Sequence, residues 1–133
     1  MKRLINEIIR WHGKAPAWML TAVITAAILW LTLARTPLPE TDLPIFPGAD
    51  KVVHAIMFGS LAIAIWLDWH ATIRRALTPW QNAACALISI LLGGAIEIAQ
   101  GAMANGRSAD IWDFVADSIG AILAILLMMR HNT

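Results

Sequence analysis

The sequence is short of two things, cysteine and charge, and each shortage removes a class of protein. Its one cysteine, Cys85, lies inside an apolar stretch. A single thiol excludes a disulfide framework, CxxC redox chemistry and cysteine zinc sites within one chain. Charged residues make up 14% of the chain, well below the roughly 25% of soluble domains. Ten Lys and Arg against nine Asp and Glu leave no field of one sign, which argues against nucleic acid as a partner. There is no HExxH, no GxSxG and no Walker loop.

What the chain has in quantity is apolar surface. Hydrophobic residues are 59% of 133 positions, more than a soluble fold of one domain can hide, so the bilayer is the expected surrounding. The expected architecture is all-α: a four-transmembrane-helix bundle (residues 15–133) preceded by a short amphipathic interfacial helix (residues 1–14).

The N-terminal segment places Ile5, Ile8 and Ile9 on one side and Lys2, Arg3, Arg10 and Lys14 elsewhere around a helix, a pattern suited to anionic lipid at the membrane surface. Twenty uncharged residues follow at about 15–34; at about 1.5 Å per residue they cover the roughly 30 Å hydrocarbon core. The run exceeds the apolar stretch of a signal peptide and ends in Arg35-Thr36-Pro37 instead of a small-residue cleavage site, so it reads as a retained span. Pro37, Pro39, Pro44, Pro47 and Gly48 then forbid regular helix. Further spans are expected at about 51–69, 80–100 and 110–129. Asp68, His70, Arg74 and Arg75 read as a solvated turn before Pro79, and His12 and His131 receive no role.

Tryptophans near the span ends (Trp18, Trp30, Trp66, Trp69, Trp80, Trp112) suggest an aromatic belt. Seven Lys and Arg fall in the N-terminus, second loop and C-terminus, against Arg35, Lys51 and Arg107 in the other two loops. That bias predicts a multi-pass protein of the cytoplasmic membrane with both termini in the cytoplasm.

With this topology the outer ends of three spans share one depth. They carry Asp50, Lys51 and His54, then Glu97 and Gln100, then Asp110, Asp113 and Asp117, with Arg107 in the last loop. Asp110, Asp113, Asp117 and Gly120 recur at i, i+3, i+7 and i+10, one helix face. Asp117 would sit about 10 Å along its helix, at hydrocarbon depth, where an unpaired charge costs roughly 2.5–3.5 kcal/mol. It is therefore expected to face protein or a water-filled cavity. Gly93 and Gly94, one turn from Glu97, would let a neighbouring helix come close. A structural staple is the alternative to a pocket, yet five carboxylates against Lys51, Arg107 and one histidine leave negative charge unbalanced.

At these residues the chain resembles the VanZ-like family, membrane proteins named after a teicoplanin-resistance protein. The likeness rests on Asp50-Lys51-Val52-Val53-His54 with Phe58 and Leu61, on Gly94 with Glu97-x-x-Gln100, and on Gly106-Arg107-Ser108-Ala109-Asp110-Ile111-Trp112-Asp113 continuing to Gly120. It covers roughly Pro37 to the C-terminus. The sequence departs from the family at Asp117, where members usually carry Asn. The resemblance implies a membrane protein linked in some members to reduced glycopeptide susceptibility through the cell envelope, and it brings no reaction with it.

Three functions compete. A binding factor would hold the head group of an anionic lipid or cell-wall precursor, with Arg107, Lys51 and His54 taking phosphate or carboxylate. An enzyme on a lipid-linked substrate would use His54 as acid or base with Asp113 or Glu97 orienting it. Its metal-assisted form would join His54, Glu97, Asp113 and Asp117 around a divalent ion such as Mg²⁺, Mn²⁺ or Zn²⁺, although no cofactor is demanded by the sequence. A small proton-coupled transporter is the third, weakened by an uncharged first span and by acids crowded at one end.

Overall fold

The structure, a computed structural model, describes residues 1–34, 47–103 and 109–132. These fold into five helices and no strand: α1 (Lys2–His12), α2 (Met19–Leu33), α3 (Ala49–Ile73), α4 (Pro79–Ala102) and α5 (Ile111–Asn132). Three of them, α3, α4 and α5, are long and apolar enough to cross a membrane, while α2 is apolar but shorter.

Local chemistry sets the helix ends. Thr78 and Gln81 form a capping box at the start of α4, the Thr78 hydroxyl accepting from Gln81 N and the Gln81 side chain accepting from Thr78 N, with Pro79 in the first helical position. At the start of α5 the Asp110 carboxylate accepts from Trp112 N at 2.9 Å, meeting one of the amides that a helix start leaves without a partner. Gly48, at φ 85°, admits the left-handed turn that opens α3. Arg74, at φ 53°, closes the same helix, its amide donating to His70 O.

α3 lies at the centre, touching each of the other four helices and α5 most extensively. Phe58, Leu61, Ala62, Ile65 and Trp66 of α3 are fully or almost fully buried. The outer surface carries Val23, Trp30, Leu91, Ile98, Ile119 and Leu123, while Asp68, Asn82, Ser89, Glu97 and Asp117 are buried. An apolar exterior around a partly polar interior is what lipid solvation demands. Polar bonds join the helices: Ser89 Oγ donates to Phe58 O at 2.8 Å, Trp66 Nε1 to Asn82 Oδ1 at 2.8 Å, and Gln100 Nε2 to Thr32 O at 2.8 Å.

α3 and α5 run parallel, and their contact is made by backbone. A Cβ placed on Gly120 would lie 2.0 Å from Ala55 O, and one on Gly59 would lie 3.1 Å from Gly120 O. Lipid supplies little hydrophobic drive between helices, so close approach through small residues replaces it.

Several expectations change. The apolar run at 15–34 is helical only from Met19, because Pro16 and the left-handed Trp18 (φ 60°) precede it; fifteen residues reach about 22 Å. α3 continues through His70 to Ile73, so Asp68 is not a solvated turn residue: it is 2% exposed. Its carboxylate meets His12 Nε2 at 2.7 Å and accepts from Thr21 N at 2.9 Å and Thr21 Oγ1 at 2.6 Å. Three donors from the N-terminal region compensate a buried acid, and they dock α1 and the start of α2 onto α3. Trp66 belongs to no interfacial belt: it is 0% exposed, stacked on His70 at 5.1 Å. Trp18, Trp30, Trp80 and Trp112 are exposed.

Gly120→Ala should therefore be among the most damaging single-methyl changes, since a carbonyl oxygen occupies the space the methyl needs. A loss of about 3 kcal/mol, the upper end for overpacking, is expected in thermal or denaturant unfolding of detergent-solubilised protein.

Candidate functional site

The site is built where the starts of α3 and α5 meet the end of α4. Lys51 and His54 stand one turn apart on α3, and Asp113 and Asp117 stand one turn apart on α5. Because the two helices run parallel, the pairs face each other level by level.

At the outermost level Lys51 Nζ donates to Asp50 at 2.9 Å, to Asp110 at 2.6 Å and to Asp113. Asp110, just ahead of α5, is held below the usual carboxylate range by the Lys51 ammonium and, secondarily, by the Trp112 amide. One turn deeper, His54 Nδ1 lies 2.9 Å from Asp117 Oδ1 and Nε2 lies 3.6 Å from Asp113 Oδ2. Asp117, 1% exposed, thus has a partner at the depth where its sequence position requires one. Glu97 enters from α4, its Oε2 accepting from Asp110 N at 2.8 Å.

The two glycines of α4 do what their small size suggested. A Cβ on Gly93 would come within 2.9 Å of Asp117 Oδ2, and one on Gly94 within 3.3 Å of the Phe114 ring. Asp117 therefore occupies volume that any other residue at 93 would take.

Asp50, Lys51, His54, Glu97, Asp110, Asp113 and Asp117 are brought together in this way. Gln100 is buried on the same end of α4 but turns its amide to Thr32 O of α2. Arg107 lies outside the described residues. Two carboxylate oxygens deep in the cluster, Glu97 Oε1 and Asp117 Oδ2, have no hydrogen-bond partner among the described residues, nor has Gln100 Oε1.

Beside the cluster, between α4 and α5, runs a groove of about 560 Å³. Its walls are Gly94, Ile98, Ile111 and Phe114, and its polar end is Glu97 with Asp110. Ile98 and Ile111 are exposed, so the groove opens on the flank of the bundle.

Sequence reasoning missed the second polar cluster, His12, Thr21 and Asp68 at the far end of α3. Its members are 47 and 56 positions apart, and no spacing links them. The signal that existed was Asp68 itself, an acid between Leu67 and Trp69 near the end of an apolar run.

The fold and the site together define a membrane protein of apolar helices with a carboxylate-rich cluster at one end of the bundle. The VanZ/LLP1 family model matches residues 5–131, nearly the whole chain and well beyond the segment in which the motifs lie, and the protein belongs to that family. No curated protein and no solved structure matches it.

The paired depths of His54 and Asp117 make a double-mutant test direct. His54→Ala strands a buried carboxylate and should cost about 3–5 kcal/mol in unfolding measurements. In an Asp117→Asn background the same change should cost about 1–2 kcal/mol, because only an amide loses its partner. Equal costs in both backgrounds would show that Asp117 carries no charge in the folded protein.

Proposed function

We propose that the protein is a four-span factor of the cytoplasmic membrane, with both termini in the cytoplasm, whose outer site binds the polar head group of a lipid or lipid-linked cell-wall precursor and thereby contributes to glycopeptide tolerance. The observation that carries this reading is the groove between α4 and α5: apolar walls open on the flank of the bundle and end on Glu97 and Asp110, beside the Lys51 ammonium. A ligand with a hydrocarbon tail and a polar head matches that shape and polarity. In this reading α2 completes the bundle as a short span, α1 lies on the cytoplasmic surface, and Lys51, His54 and Arg107 face the phosphate or carboxylate of the ligand.

Catalysis on such a lipid is the second reading, and one observation favours it. His54 is flanked by carboxylates on both sides of its ring, Asp117 at 2.9 Å and Asp113 at 3.6 Å, which orients it as a general acid or base must be oriented. Formation of a product from a lipid-linked substrate in detergent separates this reading from binding alone.

Glu97→Gln, Arg107→Lys and Asp113→Asn, made singly, test the site. Folded yield in detergent should stay near wild type while cells carrying each variant lose the change in envelope-antibiotic susceptibility that the wild type confers. Collapse of yield in all three would instead make the cluster a staple of the bundle.

The topology has its own test, helped by the full burial of Cys85, which leaves the wild type silent to thiol reagents. Lys2→Cys and Arg130→Cys should react with a membrane-impermeant maleimide only after cells are opened, and Asp50→Cys in intact cells. The reverse pattern would invert the assignment.

A further inference from the structure

Three helices each send one metal-binding side chain to the same place. His54 of α3, Glu97 of α4 and Asp117 of α5 offer donor atoms that all lie within 4.8 Å of one another. Two of these residues also present an oxygen that no group among the described residues satisfies: Glu97, 7% exposed, through Oε1, and Asp117, 1% exposed, through Oδ2. A buried carboxylate oxygen without a donor is costly, and a cation is one of the few partners that can reach two such oxygens at once.

We propose that His54, Glu97 and Asp117 bind one divalent metal ion of the Zn²⁺ or Mn²⁺ class, and that this ion lets a carboxylate-rich pocket accept an anionic head group. The donor set decides the class. One imidazole and two carboxylates suit borderline Zn²⁺, or Mn²⁺, a harder ion that still takes nitrogen beside oxygen, better than Ca²⁺ or Mg²⁺, which prefer oxygen alone, and three protein ligands leave coordination positions free for an exogenous oxygen.

The surroundings support a held geometry. Glu97 is fixed through its other oxygen, which accepts from Asp110 N, and Asp117 fits into the space that the missing side chain at Gly93 leaves. If His54 ligates the ion through Nε2, its Nδ1 keeps Asp117 Oδ1 at 2.9 Å. Such a partner fixes the tautomer and raises the basicity of a ligating histidine.

Charge supplies the functional half, which rests on the head-group reading above. Lys51 shares its charge among three carboxylates, Asp50, Asp110 and Asp113, so it does not by itself balance the site around a phosphate. Glu97 and Asp117 would repel one. An ion of charge +2 between them cancels their two charges and offers the phosphate oxygens a ligand position.

The test uses the full chain in detergent, stripped with a chelator and titrated with Zn²⁺ and with Mn²⁺. One ion per chain should bind. Loss of an outer partner alone commonly weakens metal sites about 10–100-fold, so Glu97→Gln and Asp117→Asn should lose at least that much affinity. Glu7→Gln, at an exposed acid of α1 outside the cluster, should keep it. The Mn²⁺-loaded wild type should show electron-spin-echo coupling to an imidazole nitrogen that is absent in His54→Gln, a readout that holds even if a carboxylate variant fails to fold. No stoichiometric ion in folded wild type, or an ion without nitrogen coupling, would overturn the metal site. Phosphatidic acid, followed by native mass spectrometry, separates the two halves. Association only with the ion-loaded protein supports both, and equal association with ion-free protein removes the ion's role while leaving the head-group reading. An ion that binds without any association of phosphatidic acid or of a polyprenyl phosphate keeps the metal site and overturns the head-group reading.

Discussion

The contact of Gly120 with the Ala55 carbonyl is the constraint on which the other features of the bundle depend. Helices in lipid gain little from hiding apolar surface, since lipid tails are as apolar as leucine, and must instead fit closely. At this point α3 and α5 fit backbone to backbone. Their separation and register are then fixed together, and the side chains one and two turns toward the site have no choice of partner: His54 meets Asp117, and Lys51 meets Asp113. A larger residue at 120 would part the helices and break both pairs, though neither pair touches it.

The interior is organised by polar bonds that a soluble core of this size would mostly lack. Asn82 receives Trp66 Nε1 and spends its own amide on Leu77 O and Thr78 O, which anchors the turn between α3 and α4. Ser89 ties the middle of α4 to the middle of α3, and Gln100 ties its end to α2. Each bond joins groups that would otherwise lie unsatisfied where water is scarce, so their value is in specificity of packing as much as in energy.

Much of this could be read from the sequence because the rules involved are periodic. The i, i+3, i+7, i+10 series from Asp110 to Gly120 put the acids on one face, and equal depth on three spans put Glu97, His54 and Lys51 opposite them; the structure brings these together. The start of α2 is not legible in composition, which counts apolar residues without regard to backbone, whereas Pro16 and Trp18 turn the chain before Met19. Trp66 looked interfacial by position along its helix, but which side of a central helix a residue faces depends on neighbours that the sequence does not place. Asp68 reads as a solvated residue in the sequence for the same reason, its partners His12 and Thr21 being remote in the chain.

That remoteness has a direction. The partners of the Asp68 carboxylate precede it in the chain, and the interhelical partners of Lys51 and His54, Asp110, Asp113 and Asp117, follow by about sixty positions. A chain made from its N-terminus therefore emerges with His12 and Thr21 already waiting when Asp68 arrives, so the acid never needs to enter lipid alone. At the opposite end Lys51 and His54 are delivered well before Asp110, Asp113 and Asp117 exist. Chain order thus supplies every member of the Asp68 cluster before those of the other, and the site has all its residues only once α5 is made.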